Sequence, residues 1–220
     1  MIRVTINHAG EEACEIVVNP DRFLPSRQLI RQQLDAGKLG EVGLVRVHRW
    51  EPQDSASGDE THGLPTSLVR DLDVVLWLIG QSPDAVYAVE QTDSKSDGSR
   101  GRFLQVHLGF PSGAMALLDF ADRLPPGEGY QSLSVIGSAG AAYADDHQNM
   151  QLVFRGGRPQ AVRADESGRR HSVLVQEKIE ALQAGGDVSA HVAEWLKVLN
   201  VAEAVRQSIE TNRSDRKSVV

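Results

Sequence analysis

His62-Gly63-Leu64-Pro65-Thr66-Ser67-Leu68-Val69-Arg70-Asp71-Leu72-Asp73-Val74-Val75-Leu76-Trp77-Leu78-Ile79-Gly80 is the stretch that decides how this chain folds. Pro65 suits the first turn of a helix, where its missing N–H would find no partner anyway. Gly80 suits the left-handed position that ends one. Between them Leu68, Leu72, Val75, Leu76 and Ile79 recur at helical spacing. The stretch therefore predicts an amphipathic helix over residues 65–80 with one apolar stripe.

Upstream, residues 2–6 and 14–19 read as strands around the turn-forming Asn7-His8-Ala9-Gly10, with Cys14 as a small strand residue. Asn19-Pro20-Asp21-Arg22-Phe23-Leu24-Pro25 reads as an extended linker stiffened by two prolines. Leu29, Ile30 and Leu34 share one face of a helix over 26–36, and Gly37 is placed to cap it. Residues 42–50 read as a strand. Val45 and Val47 lie on one face; Leu44, Arg46, His48 and Trp50 lie on the other. Residues 51–60, acidic and rich in Ser and Gly, read as a mobile loop.

Downstream, short runs at 85–91, 103–108, 114–120, 131–136, 141–144, 151–154 and 161–164 predict strands. Turns at Phe110-Pro111-Ser112-Gly113, Ser138-Ala139-Gly140 and Gly156-Gly157-Arg158-Pro159 separate several of them, which predicts an antiparallel meander. Residues 92–101 read as a polar loop. Two helices follow, over 173–184 and 189–211, split by Gly185-Gly186. Val192, Trp195, Leu196, Leu199, Val201, Ala202, Val205 and Ile209 supply the buried side of the second. A charged tail at 213–217 and a terminal strand at 218–220 close the chain. The expected fold class is α+β: one large, mostly antiparallel open sheet with helices packed on one face. The other face is left for solvent, a ligand or another copy of the chain.

The 220 residues, 40% apolar and 24% charged, are those of an ordinary globular protein. A net charge of −7 argues against nucleic-acid binding, which needs clustered Lys and Arg. A single cysteine fits a reducing compartment. Neither a secretory signal nor an apolar run long enough to span a bilayer is visible, so the expected location is the cytoplasm.

Four stretches resemble the C-terminal domain of the Gfo/Idh/MocA oxidoreductase family. They are Asn19 to Pro25 with Ala36-Gly37-Lys38-Leu39-Gly40-Glu41-Val42, then Asp71 to Gly80, Val135-Ile136-Gly137-Ser138-Ala139-Gly140, and Asn200-Val201-Ala202-Glu203-Ala204-Val205-Arg206-Gln207-Ser208. The resemblance implies the sheet of a glyceraldehyde-3-phosphate dehydrogenase C-terminal domain, often oligomerising through its free face. It also implies a preceding NAD(P)-binding domain. Only 18 residues precede Asn19, fewer than one βαβ unit needs, and no Gly-x-Gly-x-x-Gly occurs. The expectation is one domain over 1–220, with a strand segment at 1–18 in place of the Rossmann domain, a tail at 212–220, and no cofactor of its own. A separate Rossmann-type chain is a possible partner.

The family's opening helix carries an acid and a histidine one turn apart, and alignment puts Thr66 and Arg70 at those positions. Arginine stays protonated near neutral pH and a threonine hydroxyl does not replace a carboxylate. No catalytic residue is expected here. Arg70 has two readings: a binder of an anion or sugar acid, or a structural partner of Asp73 or Asp71. His48 and Trp50 suit a sugar platform or a subunit interface. His62 is a loop histidine or a pocket residue, and Arg22 approaches a ligand or pins the linker. Asp145-Asp146-His147 has metal-ligand residue types, but adjacent strand residues diverge, so no metal is expected. Ser208 reads as packing. The expected function is a non-catalytic binding or homo-oligomeric assembly module. The alternatives are a subunit of a split sugar or polyol dehydrogenase and a sugar-acid sensor.

Overall fold

Strand alternation and one helical crossover build the molecule. The computed structural model describes residues 1–6, 14–52, 60–94, 100–125, 128–145, 150–154, 160–163, 168–184 and 187–211. A hairpin of β1 (Ile2–Ile6) and β2 (Cys14–Val18) leads through a 3-10 turn (Pro20–Phe23) to α1 (Pro25–Asp35). Next come β3 (Val42–Pro52), a short hairpin of β4 (Glu60–Thr61) and β5 (Leu64–Pro65), and α2 (Thr66–Ile79). Seven strands follow: β6 (Ala85–Ser94), β7 (Arg100–Gly109), β8 (Met115–Leu124), β9 (Tyr130–Gly137), β10 (Ala141–Asp145), β11 (Met150–Phe154) and β12 (Gln160–Arg163). Helices α3 (Gly168–Gln183) and α4 (Val188–Thr211) end the described chain.

The large sheet has eight strands in the order β12-β11-β10-β9-β3-β8-β7-β6. It is mixed, which corrects the expectation of a mostly antiparallel sheet: β3 pairs antiparallel with β9 and parallel with β8. The cause is topological. Helix α2 carries the chain back, so β6 starts in the direction of β3. Two hairpins later β8 has that direction again and docks beside β3. Periodicity specifies neighbours joined by tight turns, not this non-local ladder.

One face of the sheet makes the core. Val45 and Val47 of β3, Ala116 and Leu118 of β8, and Leu133 and Val135 of β9 pack with Leu68, Leu72 and Val75 of α2 and Val201, Ala202 and Val205 of α4. Helix α2 is buried well beyond its predicted stripe. Val69, Val74 and Leu78 are also covered, because sheet, α4 and the 3-10 turn surround it. Gly80 ends it at φ 75°, donating its N–H to Leu76 O at 2.8 Å. A second cluster joins Val4, Ile16 and Val18 of the leading hairpin to Leu182 of α3.

Other expectations change. The predicted linker at 20–23 is a 3-10 turn, capped by Asn19, whose Oδ1 accepts the Asp21 N–H at 3.0 Å. Strands extend into both predicted loops, so residues 51–52, 60–61, 92–94 and 100–101 are all in strands. Leu196, expected inside, is 53% exposed. The turns at 7–10 and 156–159, the break at 185–186 and the tail at 212–220 lie outside the described residues.

The segments at 37–41 and 137–140 interlock. Ser138 and Ala139 donate backbone N–H groups to Glu41 O (2.9 Å) and Leu39 O (3.0 Å), and Glu41 N–H donates to Ser138 Oγ at 3.0 Å. A Cβ on Gly137 would stand 2.1 Å from Leu39 O, a backbone atom with nowhere to go. Gly137→Ala is expected to lose about 1–3 kcal/mol in urea unfolding, as overpacked sites do. An unchanged midpoint would contradict this close approach.

Candidate functional site

Alternation in β3 sends Arg49 toward the helices, two residues beyond the buried Val47. A guanidinium carried into a core face must find carboxylates. Arg49 grips Asp71 of α2 with two bonds, Nε to Oδ2 at 2.5 Å and Nη2 to Oδ1 at 2.8 Å. Its Nη2 also reaches Asp21 Oδ2 at 3.0 Å, and Nη1 stands 3.5 Å from Glu51 Oε1. The Gln131 amide, oxygen inward, accepts from Arg49 Nη2 at 2.6 Å and from Arg27 Nη2 at 3.3 Å. Burial works against the charged form of Arg49, but Asp71, Asp21 and Glu51 outweigh it and raise its pKa.

Half a turn further along α2 the pattern repeats. Arg22 holds Asp73 through Nε to Oδ2 (2.7 Å) and Nη2 to Oδ1 (2.5 Å), while Asn19 Nδ2 donates to the same Oδ2 at 2.7 Å. Arg22 also pairs with Glu194 of α4 at 2.8 Å and lies 5.8 Å from the centre of the Trp77 ring. Both carboxylates of α2 are thus held by guanidinium forks.

Thr66 and Arg70 sit one turn apart on α2. Thr66 is buried, with its hydroxyl 3.0 Å from that of Thr61. Arg70 pairs with neither Asp71 nor Asp73. Its Nε lies 3.4 Å from Asp21 Oδ2, out of hydrogen-bond alignment, and a quarter of the side chain is exposed. His62 occupies the tight turn between β4 and β5 at φ 54°, followed by Gly63 at 74°. Positive φ at both central residues is the geometry of a two-residue hairpin turn.

His48 and Trp50 point the other way. Six sequence candidates therefore divide: Arg22, Thr66 and Arg70 lie along α2 and His62 in the turn before it, while His48 and Trp50 lie on the open sheet face. There they line a trough of about 740 Å³ with Arg46, Phe103, Asp119 and Arg123. Trp50 packs against Tyr130 at 5.0 Å between ring centres and against His48 at 6.0 Å. His48 Nδ1 is 3.2 Å from Asp119 Oδ2, without hydrogen-bond alignment. Burial pushes its pKa below the ordinary histidine value; Asp119 opposes this and Arg46 adds to it.

Sequence reasoning missed Arg49, Asp21, Asp71 and Gln131 as a unit. A signal existed: Val45, Val47 and Arg49 share a strand face, so an apolar row ends in a buried charge. Ser208 is fully buried, and its Oγ accepts the Ala88 N–H at 2.9 Å. Asp145 Oδ2 accepts from the Tyr130 hydroxyl at 3.2 Å; Asp146 and His147 lie outside the described residues. Among the described residues no cluster of metal-ligand types converges, and no helix is long and apolar enough to cross a membrane. Nor do the described glycines fit a dinucleotide: those at 37–40 and 137–140 pack on each other, not around a pyrophosphate.

The polar cluster thus sits where α2 meets β3 and the 3-10 turn, on the helix side of the eight-stranded sheet. Residues 31–215 match the family described as "Oxidoreductase family, C-terminal alpha/beta domain", and the chain belongs to this Gfo/Idh/MocA family. It is 24% identical to inositol 2-dehydrogenase of Rhizobium meliloti (strain 1021) over 225 residues, covering 96% of this chain and 68% of the relative. It is 26% identical to the rhizopine catabolism protein MocA of Rhizobium meliloti over 56% of this chain and 40% of that protein. The fold is similar to levoglucosan dehydrogenase solved with NADH and L-sorbose (TM-score 0.73, 16% identity, 91% of this chain and 65% of that one). It is also similar to an NAD binding oxidoreductase from Klebsiella pneumoniae (TM-score 0.68, 18% identity, 90% and 65%).

Proposed function

We propose that this chain is a non-catalytic, homo-oligomeric assembly module built on an oxidoreductase C-terminal domain. The observation that carries the reading is the uncovered sheet face. Trp50, Tyr87, Phe103, Met115, Ile136 and Tyr143, each at least 36% exposed, all belong to it. Single exposed apolar residues are ordinary, but six on one face make a patch of the kind that marks an interface. A second copy presenting the same face satisfies both at once.

The non-catalytic part rests on α2. Hydride transfer from an alcohol needs a group to take the hydroxyl proton. Where the family carries its acid and histidine this chain has Thr66 and Arg70, and Asp71 and Asp73 are each held by an arginine. Light scattering on the purified protein is expected to give at least twice the 24.0 kDa chain mass. With myo-inositol as probe and either NAD or NADP, no turnover above buffer is expected. A monomer at every concentration defeats the assembly reading, and turnover by the chain alone defeats the non-catalytic one. Turnover only on adding a separate nucleotide-binding chain favours the subunit of a split sugar or polyol dehydrogenase instead.

A further inference from the structure

His48 stands at the middle of the open sheet face. In the register it belongs to the polar row Gln105, Asp119, His48, Ser132, Asp145, which crosses β7, β8, β3, β9 and β10. A row holding Phe103 and Trp50 flanks it on one side, and a row holding Tyr87 and Tyr143 flanks it on the other. A partner that covers both aromatic flanks therefore covers His48 as well.

The ring is poorly provided for a positive charge. Its Nδ1 is buried and stands 3.2 Å from Asp119 Oδ2 without hydrogen-bond alignment. That carboxylate is already engaged: Oδ1 accepts from Gln105 Nε2 at 2.9 Å, and Oδ2 lies 3.7 Å from Arg46 Nη2. The remaining groups on the neighbouring strands do not replace it. Arg123 of β8 stands over the Phe103 ring, and His107 of β7 packs edge-on against Tyr87. Glu90 of β6 is paired with Arg102 at 3.3 Å, and Asp145 of β10 accepts from the Tyr130 hydroxyl. Among the described residues lining the trough, a charged His48 would thus be a third cation, with Arg46 and Arg123, around the carboxylate of Asp119.

We infer that protonation of His48 separates the copies, so that the chain is assembled at about pH 8 and comes apart by about pH 5.5. The inference rests on the assembly reading, since it concerns the regulation of that same face. A neutral imidazole is covered by a partner at little cost, but an imidazolium must lose its water with no carboxylate of its own to meet it. Burial already works against the charged ring in the free protomer, and a covering partner removes more water. The assembled form therefore takes up the proton at a lower pH than the free protomer. Separated chains bind more protons, and a fall in pH through the free protomer's value favours them.

A dilution series followed by sedimentation velocity at about pH 8 and about pH 5.5 tests this, with circular dichroism at each pH to follow the fold. The dissociation constant of the wild-type chain is expected to rise about tenfold or more at the lower pH. His48→Gln, neutral at both, is expected to assemble equally at both. His48→Lys, charged at both, is expected to be largely dissociated at both. His107→Gln is expected to keep the wild-type response. The wild-type ring's own titration, followed by its Cε1–H resonance, needs no variant and is expected to move to lower pH as concentration rises into the assembled range. The inference is overturned, with the assembly reading left standing, by any of four results: an unchanged dissociation constant at the lower pH, a pH response that survives in His48→Gln or is lost in His107→Gln, wild-type assembly of His48→Lys, or a ring titration that ignores concentration. Single chains at every concentration at about pH 8 defeat the assembly reading itself, and this inference with it.

Discussion

Arg49→Ala is expected to lower unfolding stability by about 3–5 kcal/mol, the range for removing one partner of a buried ion pair. The size follows from what the guanidinium joins. Asp71 is 3% exposed and Asp21 8% exposed, so neither carboxylate can be rehydrated when the arginine goes. Three elements also lose their common anchor: the 3-10 turn through Asp21, α2 through Asp71, and β3 itself. Arg49→Lys should cost less than alanine, because one ammonium keeps the charge but cannot hold both Asp71 oxygens. The double variant Arg49→Met with Asp71→Leu should recover part of the loss, since burying neither charge avoids both desolvation costs. Chemical denaturation of the four proteins checks this. If Arg49→Ala unfolds at the wild-type midpoint, the cluster is not an anchor.

That cluster also marks the limit of what sequence patterning conveys. The helix at Thr66–Ile79 was legible because apolar spacing and a terminal glycine agree, although Pro65, expected in the first turn, is the N-cap at the end of β5. The two faces of β3 were legible for the same reason: Val45 and Val47 are buried while Arg46 and Trp50 are exposed. Arg49, Asp71 and Asp73 were not, because pattern reading places charges in solvent and ion pairs join residues far apart in the chain. Asp21 meets Arg49 across 28 positions, and Arg22 meets Asp73 across 51. The parallel β3–β8 ladder was hidden likewise. No local feature of residues 42–52 says that their partner lies some seventy residues on, after a crossover and two hairpins. The candidate site was half visible: Thr66 and Arg70 stand out by type and spacing, but the acid beside Arg70 is Asp21, from a segment that read as a linker.

Met115→Asp is expected to dissociate the assembly while leaving the protomer folded. In the sheet register Leu44 of β3 lies between Ile136 of β9 and Met115 of β8, so three apolar side chains form one row across the three central strands. Among the described residues Met115 is the most exposed of the large apolar side chains, at 55%, so a carboxylate there remains solvated in the free protomer. The protomer's stability should move by no more than about 0.5 kcal/mol. Inside an isologous contact the same carboxylate is desolvated on both copies. An unpaired buried charge costs about 3–5 kcal/mol, which weakens association by a factor of at least about 100 for each copy. Leu196→Asp supplies the contrast. Leu196 is 53% exposed, nearly as much as Met115, but stands on α4 among the helices. Equal exposure and the same substitution make the position on the fold the variable that differs. Light scattering should find Leu196→Asp at wild-type mass and Met115→Asp at the mass of one chain. The reverse result would put the contact on the helical layer and leave the six apolar side chains of the open face without the partner assigned to them.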